Sequence, residues 1–244
     1  MASLGKLLAL VTSPSMWPAL IKGVAPTVEH RSALGRRTFD NVIDVGANKG
    51  QFAAFALATW PTAKLYCVEP LSGPRARLAS VTAGRAEILA FALGETNGSI
   101  EMHVASRVDS SSILPLGERQ KKVFAMEETS VLEVAIRRLD DAIASDSLTG
   151  PILLKIDVQG FERDVLAGAE RVLSACDAVY IELSFVELYE GQALAGEIVE
   201  ILTRAGLSLS GLFNQMYDPE GEALQADFLF LRRNDPAPAN SPAS

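Results

Sequence analysis

One stretch of sequence constrains the fold more than any other: an apolar strand that runs through a glycine-containing turn into a helix. Residues 42–52 read VIDVGANKGQF, and the helical pattern that follows stops before Pro61. Gly46 lets the backbone bend tightly and approach a ligand, and Gly50 leaves the N–H groups at the helix start uncovered, as suits a ligand carboxylate. We therefore predict a strand at 41–45, a helix at 51–59 and a binding turn made of Asp44, Gly46, Ala47, Asn48 and Gly50.

Strand-like runs alternate with helical patterns along most of the chain. The runs are mostly continuous apolar segments, as buried parallel strands require, and they lie at 41–45, 64–69, 87–92, 152–157 and 178–183. A helix follows Gly160, where apolar residues recur at helical spacing through 161–173. Two later runs, at 207–213 and 227–231, predict an antiparallel hairpin. The expected fold is α/β, with a doubly wound, mostly parallel, seven-stranded sheet and a C-terminal hairpin.

The length of 244 residues fits one domain. We predict a helical cap at 1–37, the main domain at 38–233 and a disordered tail at 234–244, which is built almost entirely from small residues and proline. The apolar run at 7–11 is short, and no run approaches the roughly 20 apolar residues that span a bilayer. We expect a cytoplasmic protein without a transmembrane segment, leaving peripheral membrane contact open and the oligomeric state undetermined.

Charge and composition disfavour several classes of function. The net charge is -8 without a dense basic stripe, so nucleic-acid substrates are disfavoured. Cys67 and Cys176 lie in or beside apolar runs and are predicted to be core residues. With only two histidines, His30 and His103, the chain has little material for histidine-rich metal sites or His-based triads.

Acidic and apolar residues at the ends of the second and third strands indicate how a nucleoside would bind. Glu69 ends the second strand 19 residues after Gly50, where its acceptor-only carboxylate can bind both hydroxyls of a ribose, and Pro70 then ends the strand. Phe91 and Ala92, at the end of the third strand, are candidates to hold a flat adenine. The middle glycine of the G-x-G-x-x-G dinucleotide fingerprint is missing, which weakens a nicotinamide-cofactor hypothesis.

Charged residues end the next two strands. Asp157 ends the fourth strand and shares a face with Lys155, while Glu182 lies at the end of the fifth strand, at the same edge of the sheet. The three are candidate catalytic residues. Either carboxylate suits a general base for a hydroxyl acceptor, and the pair suits a bound cation; the sequence does not select between the two. The segment 107–128 interrupts the alternation, as lids and binding loops often do, and we expect substrate contacts there.

From about Phe39 to Arg233 the chain resembles the FkbM family of methyltransferases. The matching segments are VIDVGANKG at 42–50, VEP at 68–70, ALG at 92–94, SSS at 110–112, RLD at 138–140 and LKIDVQGFE at 154–162. The resemblance implies a class I methyltransferase fold, S-adenosylmethionine as methyl donor, and O-methylation of hydroxyls on sugars of bacterial glycans or on secondary metabolites.

The resemblance also implies roles for individual residues. The glycine turn would hold the methionine end of the cofactor, Glu69 the ribose, and Asp157 would lie near the methyl group. Ser110, Ser111 and Ser112 fall on a serine-rich loop of the family whose hydroxyls suit a polyol acceptor. Some macrolide-modifying relatives use Mg²⁺ with additional acidic and histidine ligands, and no histidine lies near Asp157 or Glu182 in this sequence, so a Mg²⁺ requirement is not favoured.

Three hypotheses follow. The leading one is an S-adenosylmethionine-dependent O-methyltransferase that acts on a small-molecule or glycan acceptor, namely a hydroxyl of a sugar, glycan precursor or secondary metabolite, as in polysaccharide biosynthesis. The alternatives are a nicotinamide-dependent oxidoreductase and a catalytically silent scaffold of a glycan-assembly complex.

Overall fold

A computed structural model describes residues 16–233, so the predicted tail at 234–244 and residues 1–15 of the predicted cap lie outside the described part. The strands are β1 Asn41–Val45, β2 Lys64–Val68, β3 Glu87–Leu89, β4 Ala92–Leu93, β5 Gly98–Ala105, β6 Glu128–Arg137, β7 Ile152–Ile156, β8 Ala178–Ser184, β9 Leu207–Tyr217 and β10 Ala223–Arg232. The α-helices are α1 Trp17–Ile21, α2 Arg31–Leu34, α3 Gln51–Thr59, α4 Ser72–Thr82, α5 Glu118–Phe124, α6 Leu139–Ala142, α7 Glu162–Ala167, α8 Glu170–Ala175 and α9 Ala195–Arg204. None of the helices in 16–233 has the length and apolar character needed to cross a membrane.

The main sheet has seven strands in the order β3-β2-β1-β7-β8-β10-β9. Strands β3, β2, β1, β7 and β8 are parallel, and β10 runs antiparallel to both β8 and β9. Numbered within this sheet alone, the order is 3-2-1-4-5-7-6, which confirms the predicted doubly wound α/β fold with its C-terminal hairpin. The order reverses between β1 and β7, and ligands of such sheets bind at the carboxyl ends of the strands beside this reversal.

Apolar residues alternate between the two faces of the sheet, so the sheet has a core on each side. On one face, Val42, Leu153 and Tyr180 share a buried cluster with Phe52 and Phe55 of α3. The other face packs against α7 to α9 through residues that include Ile43, Leu154, Ile181, Val165, Val172 and Ile198. Cys67 and Cys176 are free and buried in these cores, as predicted.

The third predicted strand, 87–92, is wrong as one element. Only β3 joins the main sheet, while β4 belongs to a second, three-stranded sheet in the order β4-β6-β5. Strands β5 and β6 were not predicted from the sequence. Most of β6 is exposed, including Val131 and Leu132, so it is not a continuously buried strand like those of the main sheet. Phe91 lies between the two sheets, where the Arg137 guanidinium sits 5.2 Å from its ring centroid.

The helix predicted after Gly160 is in fact two helices, α7 and α8, which meet at Gly168 and Ala169. A Cβ at Gly168 would overlap the carbonyl oxygen of Gly94, and the Gly168 carbonyl accepts a hydrogen bond from the Asp140 N–H at 3.1 Å. The break therefore allows close contact between the helical layer and the second sheet.

Candidate active site

A cavity of about 310 Å³ opens at the carboxyl ends of β1, β2, β7 and β8. Its volume falls within the range of small-molecule sites. Its wall combines the glycine turn after β1, the end of β2, the loop after β7 and the segment between β5 and β6. Of the predicted site residues, the cavity is lined by Gly46, Ala47, Asn48, Glu69, Pro70, Ala92, Ser110, Ser111, Lys155, Asp157 and Glu182.

The glycine turn is held tightly against its neighbours. Gly46 has φ +79°, and the N–H groups of Gly46 and Ala47 donate to the Val68 carbonyl at 3.1 and 3.0 Å. A Cβ at Gly46 would overlap the carbonyl oxygen of Asp157. Gly50, at φ +91°, begins α3 and packs against side chains of α4 rather than lining the cavity. Gly46 therefore lets the loops after β1 and β7 meet.

We expect the Gly46→Ala substitution to lower the free energy of unfolding by more than about 2 kcal/mol, because it adds a backbone clash to an unfavourable φ. Urea unfolding measures the change. Gly73→Ala is the matched control, since a Cβ at Gly73 in α4 meets nothing within 4 Å, and helical alanine is favoured over glycine. Equal midpoints for the Gly46→Ala variant and the parent protein would contradict the packing described here.

Glu69 and Asn48 present acceptor atoms to the cavity. Glu69 is 5% exposed, and its carboxylate accepts the Asn48 N–H at 2.9 Å and the Leu71 N–H at 2.8 Å, one on each oxygen. Burial raises the pKa of Glu69, although the two backbone bonds and Arg75 oppose the shift. Each carboxylate oxygen can accept a further bond, and Asn48 Oδ1 is buried without a partner among the described residues. These acceptors fit the two hydroxyls of a ribose.

An apolar wall lies beside Glu69. Pro70, Leu71, Pro74, Ala92 and Leu93 line this part of the cavity, and such a surface suits a flat base. Phe91, which the sequence assigned to this role with Ala92, does not line the cavity and instead packs against the core. Together with the free acceptors of Glu69 and Asn48, this wall fits the nucleoside of S-adenosylmethionine.

Lys155 is a buried cation that contacts two carboxylates at the site. Its Nζ lies 3.2 Å from Asp44 Oδ1 and 3.6 Å from Asp157 Oδ2. Burial disfavours the charged amine, but the attraction of Asp44 and Asp157 outweighs burial and raises the pKa of Lys155. Asp44 is fully buried beneath the cavity and does not line it, so its contact is with Lys155. Lys155 therefore remains a cation at neutral pH, and its ammonium group forms an ion pair with the Asp157 carboxylate.

Gln159 joins the two candidate catalytic carboxylates. Its Nε2 donates to Asp157 Oδ1 at 2.7 Å and to Glu182 Oε2 at 2.9 Å. The structure thus brings Asp157 and Glu182 to the same wall. Burial, followed by repulsion from Asp157, raises the pKa of Glu182 well above its usual value. Sequence reasoning missed Gln159, although a polar residue directly after a strand-ending carboxylate is a signal that could have been used.

The serine triplet divides between the cavity wall and the layer behind it. Ser110 and Ser111 line the cavity, and Ser111 Oγ accepts the Ala105 N–H at 3.2 Å while keeping its own hydrogen to donate. Ser112 does not line the cavity; its hydroxyl donates to the Gln159 carbonyl at 2.7 Å. The segment 107–128 contains α5 and reaches the cavity at several further residues, namely Arg107, Val108, Asp109, Ile113, Gln120, Phe124 and Met126.

The carboxylate pair does not fit a shared Mg²⁺ ion. A cation bound between Asp157 and Glu182 needs oxygen ligands, but the N–H₂ group of Gln159 lies between the two carboxylates and presents hydrogen atoms. Within residues 16–233, no group of three or more His, Cys, Asp or Glu side chains is arranged to hold a metal ion.

Comparison with known proteins gives a consistent result. The methyltransferase FkbM domain matches residues 44–209. The chain is 32% identical over 170 residues to the 2-O-methyltransferase NoeI of Sinorhizobium fredii, covering 66% of this chain and 70% of the relative. It is 28% identical over 203 residues to the 31-O-demethyl-FK506 methyltransferase FkbM of Streptomyces tacrolimicus, covering 73% and 76% of the two chains. The structure of Aeropyrum pernix fibrillarin with bound S-adenosyl-L-methionine is 14% identical, with a TM-score of 0.46, and the match covers 88% of this chain and 74% of that one.

Proposed function

The chain belongs to the FkbM methyltransferase family and is an S-adenosylmethionine-dependent methyltransferase, and from this premise we propose that it methylates a hydroxyl of a sugar, a glycan precursor or a secondary metabolite. The observation that carries the proposal is the pair of carboxylates, Asp157 and Glu182, on one wall of the cavity. A hydroxyl is a poor nucleophile until it loses its proton, and a carboxylate at this position can accept that proton.

The two carboxylates have different surroundings and therefore different roles. Lys155 Nζ lies 3.6 Å from Asp157 Oδ2, and we assign Asp157 the role of accepting a hydrogen bond from the substrate hydroxyl and orienting it. Glu182 has a raised pKa, which makes its ionised form the stronger base. We assign proton removal to Glu182. S-adenosylmethionine supplies an electrophilic methyl group when bound.

A different set of cavity residues is assigned to the cofactor. Glu69 and Asn48 would bind the ribose hydroxyls through their free acceptors, and the apolar wall from Pro70 to Pro74 would contact the base. The turn at Gly46 and the start of α3 would hold the methionine end. These residues would bind and orient the cofactor, and they would take no part in proton transfer.

Two observations support a hydroxyl-bearing acceptor. Both relatives described above are named as O-methyltransferases of defined positions, one as a 2-O-methyltransferase and the other as a 31-O-demethyl-FK506 methyltransferase. In addition, the acceptor wall carries Ser111, Asp157 and Glu182, whose oxygens can bind several hydroxyls of one polyol.

Calorimetric titration with S-adenosylhomocysteine, with NAD and NADP as parallel ligands, tests the cofactor half of the proposal. We expect saturable one-to-one binding of S-adenosylhomocysteine and no binding of either dinucleotide. Transfer of a radiolabelled methyl group to a panel of sugars and polyols then identifies the acceptor class. Binding of NAD alone would overturn the proposal, and transfer to amines or thiols but not to hydroxyls would overturn its acceptor assignment.

A further inference from the structure

We propose that Gln159 is a positioning residue whose carboxamide holds Asp157 and Glu182 in the arrangement that receives the acceptor hydroxyl. The inference rests on the proposed function, because it assigns Gln159 a role through those two carboxylates. Gln159 is thus expected to affect the turnover of the enzyme and the titration of its carboxylates, not the binding of the cofactor.

Gln159 uses both hydrogens of its side-chain amide. Nε2 lies 2.7 Å from Asp157 Oδ1 and 2.9 Å from Glu182 Oε2, so each hydrogen of the amide serves one carboxylate. Two carboxylates this close repel each other when both are ionised. A neutral group with two donors reduces that repulsion and fixes the separation without adding a charge. Gln159 is therefore placed to make two ionised carboxylates compatible.

The orientation of the Gln159 side-chain amide is set by its neighbours. Tyr189 Oη lies 2.7 Å from Gln159 Oε1 and 2.9 Å from the Ser110 carbonyl oxygen, two acceptors for its one hydrogen, and it accepts from Gln120 Nε2 at 3.2 Å. With Oε1 held by the tyrosine hydroxyl, Nε2 faces the carboxylates. Rotating the amide by 180° would point Oε1 at two acidic groups. The two carboxylates and the tyrosine hydroxyl thus favour the same amide orientation, in which Nε2 donates to Asp157 and Glu182.

The backbone of Gln159 has an unusual conformation. Its φ is +58°, a left-handed conformation that is unfavourable for a residue with a side chain. The Ser112 hydroxyl donates to the Gln159 carbonyl at 2.7 Å, which ties this loop to the segment between β5 and β6. Unfavourable backbone conformations persist where the surroundings enforce them, often at functional sites. The conformation directs the side chain across the wall between the two carboxylates.

The charges around Glu182 explain why this bridge matters. The groups that face it are Asp157 and Lys155 at the end of β7, Asp227 on β10 and Glu162 on α7. Three of these four are acidic, and only Lys155 favours the ionised form of Glu182. The hydrogen bond from Gln159 adds a second stabilising contact for that form. Loss of this bond should therefore raise the pKa of Glu182.

The Gln159→Leu substitution tests the proposal, because it removes both donors at similar volume. The primary measurement is a carbon-13 NMR titration of the side-chain carboxyl of Glu182 in protein saturated with S-adenosylhomocysteine, assigned by loss of the signal in Glu182→Gln. We expect the pKa of Glu182 to rise by about one unit. With the polyol that gives the highest turnover as probe, kcat should fall about 100-fold with KM nearly unchanged, and the rise of rate with pH should move to higher pH.

Two further variants keep the proposal testable, one as an independent perturbation and one as a control. Tyr189→Phe removes one hydroxyl and leaves the packing of the ring, so it should give smaller changes in the same directions even where Gln159→Leu fails to fold. Gln215→Leu, at an exposed position on β9, is the matched control and should leave both measurements unchanged.

The outcomes separate this inference from the proposed function. If the parent protein fails to bind S-adenosylhomocysteine, the proposed function fails. If binding is retained while Gln159→Leu keeps the parent pKa of Glu182 and the parent kcat, the inference about Gln159 fails alone. Turnover that is abolished by a chelator and restored by Mg²⁺ would also overturn the inference, because Gln159 would then have to present its oxygen to a cation.

Discussion

The Glu182→Gln substitution is expected to lower the rate of methyl transfer by about 10²- to 10⁴-fold, the usual contribution of a general base. Glutamine keeps the volume of the side chain and its contact with Gln159, but it cannot accept the proton of the acceptor hydroxyl. Turnover of the polyol substrate measures the loss, while calorimetry with S-adenosylhomocysteine should give an unchanged affinity. Glu190→Gln, which changes an exposed glutamate in the loop after β8, is the matched control and should retain the parent rate.

The pH dependence of the parent enzyme provides a second measurement of the same role. The pKa of Glu182 is raised, first by burial and then by neighbouring carboxylates, so its base form appears only as the pH rises through that raised value. The rate should increase through the same range, and the residual rate of Glu182→Gln should lose this dependence. If Glu182→Gln kept the parent rate while Asp157→Asn lost it, the proton acceptor would be Asp157.

The Glu69→Ala substitution is expected to weaken cofactor binding by at least about 100-fold. It removes two hydrogen bonds to a charged acceptor, each worth roughly 1.5 to 3 kcal/mol. It also leaves the N–H groups of Asn48 and Leu71 without their acceptors, which loosens the turn beside the cavity. The dissociation constant of S-adenosylhomocysteine, measured by calorimetry, gives the effect directly.

Glu87→Ala is the control for this experiment. Glu87 begins β3 at an exposed position and does not line the cavity, so its removal changes the net charge equally without altering the cavity wall. Thermal unfolding of both variants separates a loss of binding from a loss of fold. An affinity in Glu69→Ala equal to that of the parent protein would show that the ribose is bound elsewhere.

Local signals were enough to predict the strand and the helix that flank the glycine turn. The strand, turn and helix from Asn41 to Thr59 are encoded within one continuous segment, and the structure has the strand and helix at the predicted bounds. The meeting of Asp157 and Glu182 also followed from sequence, because adjacent parallel strands end at the same edge of the sheet. Both inferences depend on periodicity and strand direction, which a single sequence reveals.

Contacts between distant segments were not predictable in this way. The role of Gln159 depends on Tyr189 and Ser112, which lie 30 residues after it and 47 residues before it. Asp44 lies within the glycine-turn motif, yet its partner is Lys155 on another strand. The second sheet escaped prediction because β6 is exposed over most of its length and its strands pair with one another instead of joining the main sheet. In each case the deciding interaction is tertiary.

Along the chain, strands β4 and β5 of the second sheet lie between two segments that line the cavity. The residues proposed to bind the cofactor lie in 46–74 and at the end of β4, whereas the segment 107–126 between β5 and β6, which we assign to the methyl acceptor, lines another stretch of the cavity. That segment is attached to the loop after β8 by the bridge between Leu116 and Tyr189. Under the proposed function, we therefore expect that exchange of this one contiguous insert between family members alters the choice of methyl acceptor and leaves the residues that bind the methyl donor in place.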